Sequence, residues 1–219
     1  MFAGHVGAAL AIGRAERRVN VGAFVIAALL LDILLWLFVL LRWESVSIPA
    51  DFARTHQPRF VFPLTHGLLA SIAWSALAGG VAFLCYARLK EARLRAAALV
   101  AAALFSHWLL DALVHVPELP LAGNGSLLLG LGLWQNLPVA LAVEALVVFA
   151  GIGLFVRGAG QARSKRVALA ALAVVLLVFT VVGMTATPAP PSAIAMAAGS
   201  LATILVSCAM ACWFGRLAV

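Results

Sequence analysis

A segment in the middle of the chain places three side chains that can bind protons or metal ions in apolar surroundings. His107, Asp111 and His115 lie four residues apart in the stretch SHWLLDALVH. Because four residues make slightly more than one helical turn, these side chains would form a ladder on one helix face. Ionisable groups are costly at membrane depth unless they are paired, hydrated or bound to metal, so the ladder indicates a functional site.

Three more such side chains come earlier, and together they suggest a metal site. His5 is near the N-terminus, Asp32 interrupts the apolar run LLLDILLW, and His66 lies in PLTHGLL. Imidazole and carboxylate are ligands that zinc accepts, and the ion offsets buried negative charge. The sequence therefore predicts a divalent metal ion, most readily Zn²⁺, among His5, Asp32, His66, His107 and Asp111. A catalytic zinc keeps an open position for water, and Asp111 and His66 are the candidates for the catalytic groups beside it.

Three other polar side chains receive different interpretations. His115 could mark the hydrated end of its helix, and His56 lies in a polar loop that predicts solvent exposure. Glu144 falls within an apolar run and is interpreted as a hydrogen-bonded structural carboxylate or as support for a ligand, rather than as a ligand itself.

The composition shows which elements must position these residues. Of the 219 residues 65% are hydrophobic and 11% charged, and the mean hydropathy is +1.11, values that no soluble domain of this size needs. Apolar runs recur at roughly 20–41, 64–86, 95–115, 128–156, 166–186 and 192–214. Residues 2–13 form a segment that is too short to cross the membrane. This segment predicts an interfacial helix or a half-helix that enters the bilayer. We expect an all-α, polytopic membrane helix bundle of about six transmembrane helices plus this short N-terminal helix.

The distribution of basic residues predicts the orientation of the chain. Lysine and arginine cluster before the first apolar run, between the second and third, between the fourth and fifth, and after the sixth. Because such residues concentrate on the cytoplasmic side, both termini should be cytoplasmic. The net charge of +7 is spread over these short clusters, so it does not indicate a nucleic-acid partner.

The chain is predicted to form one membrane domain over residues 1–219. The candidate site falls within residues 1–150, whereas 157–219 should form a two-helix scaffold without ionisable side chains other than cysteine between Arg166 and Arg216. In the fourth run, Pro138 lacks a backbone donor and restricts Leu137, which predicts a break or kink near Asn136. The three cysteines show no metal-binding spacing, and are taken as apolar packing residues.

The order of these polar motifs resembles a known family. An N-terminal GH, an aspartate in the first span, a PLTHGLL entry to the next helix and SHWLLDALVH are similar to the YdjM-type inner-membrane metal-dependent hydrolases, over roughly residues 1–150. The resemblance implies site roles for His5, Asp32, His66, His107 and Asp111, and location in a bacterial-type inner membrane. Asp32 is followed by Ile33 and Leu34 where that family has further ligands, and Gly67 replaces a serine, so one ion is expected rather than two.

These observations favour a membrane-embedded metal-dependent hydrolase that acts on a lipid or lipid-linked ester, amide or phosphoester. A membrane lipid is then the expected partner. The main alternative is a transporter that passes protons or a metal ion along the His/Asp ladder. A third possibility is a non-catalytic membrane assembly protein in which polar side chains hold helices together.

Overall fold

The computed structural model describes residues 1–158 and 161–216, and within them the chain is a bundle of α-helices. Six helices are long and apolar enough to cross a membrane, which confirms the predicted all-α class. They are α2 (Val21–Leu40), α4 (Leu68–Cys85), α5 (Ala92–Val114), α6 (Leu137–Gly158), α7 (Arg163–Thr185) and α8 (Ala193–Phe214). The predicted cytoplasmic C-terminus at 217–219 and residues 159–160 of the predicted scaffold lie outside the described residues.

The N-terminal segment forms α1 (Phe2–Gly13), a half-length helix inside the bundle. It packs against α2, α5, α6 and α7, and most of its side chains are buried, so it is not an interfacial helix. Small residues allow this close approach. A Cβ added to Gly7 would lie 2.8 Å from the carbonyl oxygen of Val147 on α6. Tight packing brings His5, one turn into α1, to the centre of the bundle.

The fourth apolar run differs from the prediction because α6 begins only at Leu137. The residues before it form strand β4 (Leu128–Leu129), paired with β3 (Leu119–Pro120), and a short 3₁₀ turn at Leu133–Gln135. The predicted break near Asn136 is thus the start of the helix. Pro138 lies in the first turn, where a missing N–H costs no intrahelical hydrogen bond.

A second small hairpin covers the same end of the bundle. Strand β1 (Ser45–Ser47) pairs with β2 (Arg59–Val61), and the short helix α3 (Phe52–Thr55) connects them. The following helix, α4, begins four residues later than predicted, with Gly67 as its N-cap. Thr65, just before this helix, does not cap it. Its hydroxyl instead donates to Glu44 Oε2, at 2.7 Å, and this contact proves important for the site.

The opposite end of the bundle carries basic residues. One surface depression is lined by Arg18 from the loop before α2, Lys90 from the loop before α5, and Arg95 from the first turn of α5. Glu16 lies in the same region and accepts hydrogen bonds from the Arg18 side chain, at 2.7 and 2.8 Å. The two ends of the helices therefore differ in charge, as the sequence indicated.

Candidate metal centre

Two histidines from different helices point the same ring nitrogen at one location. His66 precedes α4 and His107 lies in the middle of α5, and their Nε2 atoms are 3.2 Å apart. Asp111, one turn after His107, places Oδ2 3.1 Å from His107 Nε2 and 3.5 Å from His66 Nε2. All three side chains are buried. The predicted ladder on α5 thus meets a ligand from the neighbouring segment.

Asp32 on α2 completes this group from the other side. Its Oδ1 lies 3.6 Å from His66 Nε2 and 3.7 Å from His107 Nε2. Ligands that surround one zinc ion tetrahedrally at 2.0–2.2 Å are separated by roughly 3.3–3.6 Å. The five separations given above, 3.1–3.7 Å, are close to that spacing and suit a divalent ion between the two imidazoles.

The hydrogen bonds behind each ring favour the tautomer that a metal requires. His107 Nδ1 lies 2.6 Å from the carbonyl oxygen of Ala28, which can only accept, so Nδ1 carries the proton. His66 Nδ1 lies 2.9 Å from Thr65 Oγ1, whose own proton goes to Glu44. His66 Nδ1 must therefore donate to the hydroxyl. In both neutral rings Nε2 is left with a free lone pair.

Two lone pairs that face each other at 3.2 Å repel unless a positive charge lies between them. Hydrogen bonding alone would require an extra proton on one ring or on a neighbouring carboxyl, whereas a metal ion satisfies both nitrogens and the Asp111 carboxylate at once. The donor set, its spacing and its tautomers all fit a divalent cation.

His5 approaches the same centre through Asp111. Its Nε2 lies 3.2 Å from Asp111 Oδ1, the oxygen that faces away from His66, and its ring stacks on His107 with centroids 3.7 Å apart. Its Nδ1 is buried and has no hydrogen-bond partner among the described residues. One possible ligand triplet consists of His5, Asp32 and His107, and another of His66, His107 and Asp111. All five predicted ligands are therefore brought together, with His5 contacting Asp111 on the far side of the quartet.

Glu44 was not recognised from the sequence, although it supports the site. It lies in the loop after α2 and accepts hydrogen bonds from the backbone N–H groups of Leu64 and Thr65, at 2.8 and 2.9 Å, besides the Thr65 hydroxyl. Burial raises the pKa of Glu44 above its ordinary value, although these hydrogen bonds oppose that shift. No local motif connects Glu44 with His66, because the two are 22 residues apart.

His115 is not a simple hydrated helix end. The residue is buried, its Nδ1 lies 2.6 Å from Glu118 Oε1, and its Nε2 lies 3.8 Å from Asp111 Oδ2. The ladder spacing placed His115 correctly, but the sequence did not reveal its pairing with Glu118. His56, expected to be exposed, is half-buried because its loop folds back over the site.

A cavity of about 500 Å³ leads outward from the centre. Asp32, His66, Asp111 and His115 line it at the metal end, and His56 and Trp134 belong to the loops around it. Glu144 on α6 also lines the cavity; it is buried and accepts a hydrogen bond from the Gly4 N–H at 3.1 Å. The interpretation of Glu144 as a hydrogen-bonded structural carboxylate agrees with that contact.

No protein-family model, no curated protein and no solved structure matches this chain. Its function must therefore be inferred from the chemistry of the cavity. What the chain itself establishes is a helical protein of membrane type with a buried His/Asp group able to hold a metal ion.

Proposed function

We propose that this chain is a membrane-embedded metal-dependent hydrolase. The observation that supports this function best is the pair of imidazole nitrogens 3.2 Å apart, both held in the metal-binding tautomer and flanked by two carboxylates. A purely structural cluster has no need to direct lone pairs at one another. A neighbouring cavity would bring water and substrate to the ion.

We assign different roles to the four residues according to their access to the cavity. His66, His107 and Asp111 would hold the ion, because their side chains are at most 3% exposed. Asp32 is 20% exposed and borders the cavity, so it would act as the general base at Oδ1. When bound, a zinc-type ion would supply an acidified water and polarise the bond to be cleaved. His5 would orient Asp111 by donating from Nε2.

The proposed substrate is a lipid or lipid-linked ester, amide or phosphoester. The cavity opens within the apolar part of the bundle, and its walls include Leu35, Trp36, Phe60 and Phe62. We further propose a bacterial-type inner membrane, with both termini cytoplasmic and the cavity in the outer half of the bilayer. The basic residues at the opposite end of the bundle and the resemblance to YdjM-type hydrolases support that placement.

Elemental analysis of detergent-purified protein, combined with turnover of a panel of inner-membrane lipids, tests this proposal. Wild type should contain about one divalent ion per chain, and Asp111→Ala and His107→Ala should lose both the ion and any turnover. His56→Ala is a matched control, since it removes a histidine at the cavity outside the ligand group. Wild type without stoichiometric metal, or turnover unaffected in Asp111→Ala, would refute the proposal.

Transport remains the second candidate because Glu144 places another carboxylate in the same cavity. A conduction path would have to continue to the basic end of the bundle. Between the cluster and that end lie fully buried apolar side chains, among them Leu10, Phe24 and Leu104. Ion flux into liposomes that disappears in Glu144→Gln would favour transport. Loss of thermal stability in the site variants, with neither metal binding nor flux in wild type, would favour an assembly protein.

A further inference from the structure

The cavity has a second end, between α7 and α8, that the metal centre does not explain. There it is bordered by residues of the two helices that the sequence assigned to a scaffold. We call this part the apolar arm, defined by Phe179, Gly183, Met184, Met196, Gly199 and Thr203. Its residues lie toward the ends of α7 and α8 that meet at the 186–192 connection. The arm thus extends the site into the part of the bundle farthest from the basic end.

The arm offers few groups to a polar ligand, chiefly the Ser200 hydroxyl, which lines the same cavity. No ionisable side chain occurs between Arg166 and Arg216 apart from the cysteines at 208 and 212, and these lie outside the arm. The hydroxyl of Thr203 donates to the Gly199 carbonyl at 2.9 Å, and that of neighbouring Thr180 donates to the Leu176 carbonyl at 2.9 Å. Both hydroxyl protons are therefore used within their own helices.

The arm also borders the surrounding membrane. Phe179 lines the cavity and is 54% exposed, so the arm reaches the surface of the bundle rather than ending in its core. Two glycines keep this region open. A Cβ added to Gly199 meets nothing within 4 Å, and one added to Gly183 meets only Thr187 Oγ1, at 3.9 Å.

The size of the cavity selects the kind of occupant. One turn of an α-helix, taken as a cylinder 10 Å wide and 5.4 Å long, occupies roughly 420 Å³. A cavity of about 500 Å³ would therefore hold little more than one turn of a partner helix. A single flexible hydrocarbon chain fits both the volume and the apolar lining, and the bilayer supplies such chains.

We propose that the apolar arm binds one hydrocarbon chain of the lipid substrate, which enters laterally between α7 and α8 while its polar linkage reaches the metal centre. This inference rests on the proposed hydrolase function, and it names the part of the substrate that the enzyme recognises. It gives α7 and α8 a role in substrate selection. Lipids with one chain free to leave the bilayer are bound, whereas water-soluble esters that lack a chain are not.

Photolabelling tests the arm separately from catalysis. Purified protein is reconstituted in phosphatidylcholine vesicles that contain increasing amounts of phosphatidylglycerol with a diazirine on one acyl chain, and labelled peptides are mapped by mass spectrometry. Labelling of residues 179–204 should saturate near one lipid per chain. Gly199→Leu and Gly183→Leu should each lower it roughly tenfold, because the new side chain fills the arm.

The control is Gly153→Leu on α6. A Cβ added to Gly153 also meets nothing within 4 Å, but Gly153 does not line the cavity. The Gly153→Leu protein should be photolabelled to the same extent as wild type. Labelling that rises without saturation, and equally in all four proteins, would show that the arm meets only bulk lipid and would overturn the inference. The metal content of the same samples reports on the proposed function. Stoichiometric metal without saturable labelling refutes the arm alone, whereas saturable labelling without metal refutes the hydrolase function.

Discussion

The Nε2 atoms of His66 and His107 lie 3.2 Å apart, and the partners of their Nδ1 atoms leave both of them without a proton. This relationship depends on residues outside the ligand group. The Glu44 carboxylate fixes the Thr65 hydroxyl, and that hydroxyl fixes the His66 ring. Residues behind a metal ligand typically change metal affinity 10–100-fold when they are removed, although they do not touch the ion.

We therefore expect Thr65→Val to lower the affinity for Zn²⁺ by about 10–100-fold. Valine keeps the shape of the side chain but cannot accept a hydrogen bond from His66 Nδ1, so the ring loses its preferred tautomer. Competition with a chelator measures the change. Thr55→Val is the control, because the Thr55 hydroxyl is in the outer loop and donates to Asp51. Equal zinc affinities in Thr65→Val and wild type would contradict the assigned tautomer of His66.

Substitution of Asp32 and substitution of Asp111 should have different effects on metal binding and on turnover. Asp111 is 3% exposed and contacts both His5 and His107, whereas Asp32 is 20% exposed and borders the cavity. We expect Asp111→Asn to lose the ion. Asp32→Asn should retain most of the ion but lower turnover by about 10²–10⁴-fold, the usual contribution of a general base. Metal content and initial rates on the same preparations separate the two roles. Greater metal loss in Asp32→Asn than in Asp111→Asn would reverse the roles assigned to the two carboxylates.

The packing of α1 against α6 should determine whether the site forms. A side chain at Gly7 would collide with the α6 backbone at Val147, so Gly7→Leu must displace α1 and with it His5. We expect a loss of about 1–3 kcal/mol in the free energy of unfolding, together with weaker metal binding. Thermal unfolding in detergent measures the stability. Gly153→Leu, at an open position of α6, should leave both quantities unchanged, and a Gly7→Leu protein as stable as wild type would contradict this packing.

The sequence predicted the elements of this fold well because membrane spans are simple to recognise. A run of some twenty apolar residues has few alternatives to a transmembrane helix, and each of the six predicted runs overlaps one such helix. The errors lie at helix starts. Residues 128–136 are apolar enough to extend α6, yet glycines with positive φ at 130 and 132 and the β3–β4 pairing give them another structure.

The five proposed ligands could also be selected from the sequence, because ionisable side chains in apolar runs are rare and costly. Spacing alone, however, relates residues on one helix only. Nothing local connects Glu44 to Thr65 or Glu118 to His115, since both contacts depend on how the outer loops fold over the helices. The proposed role of α7 and α8 could not be predicted from the sequence for a different reason. An apolar helix that lines a cavity has the same composition as one that only faces lipid.

The basic end of the bundle provides a test of pH dependence away from the metal centre. The Arg18 guanidinium donates to Glu16 and lowers the pKa of that carboxyl below its ordinary value. A carboxyl with a depressed pKa stabilises the fold above its ordinary pKa, near 4.5, and this contribution is lost as the pH falls through the lower value. Wild type should therefore unfold at a higher temperature than Glu16→Gln at pH 7, and the difference should shrink below about pH 4.5.

Arg18→Gln is the matched control for this pair. It removes the two side-chain hydrogen bonds and leaves the bond from the backbone N–H of residue 18 to Glu16 Oε1, so Glu16→Gln in the Arg18→Gln background should lower the unfolding temperature at pH 7 less than it does in wild type. The effect is expected to be small, because the Arg18 side chain is 57% exposed and salt screens such pairs. A difference between wild type and Glu16→Gln that grew as the pH fell would show that Glu16 is protonated in the fold, contrary to the direction of its pKa shift.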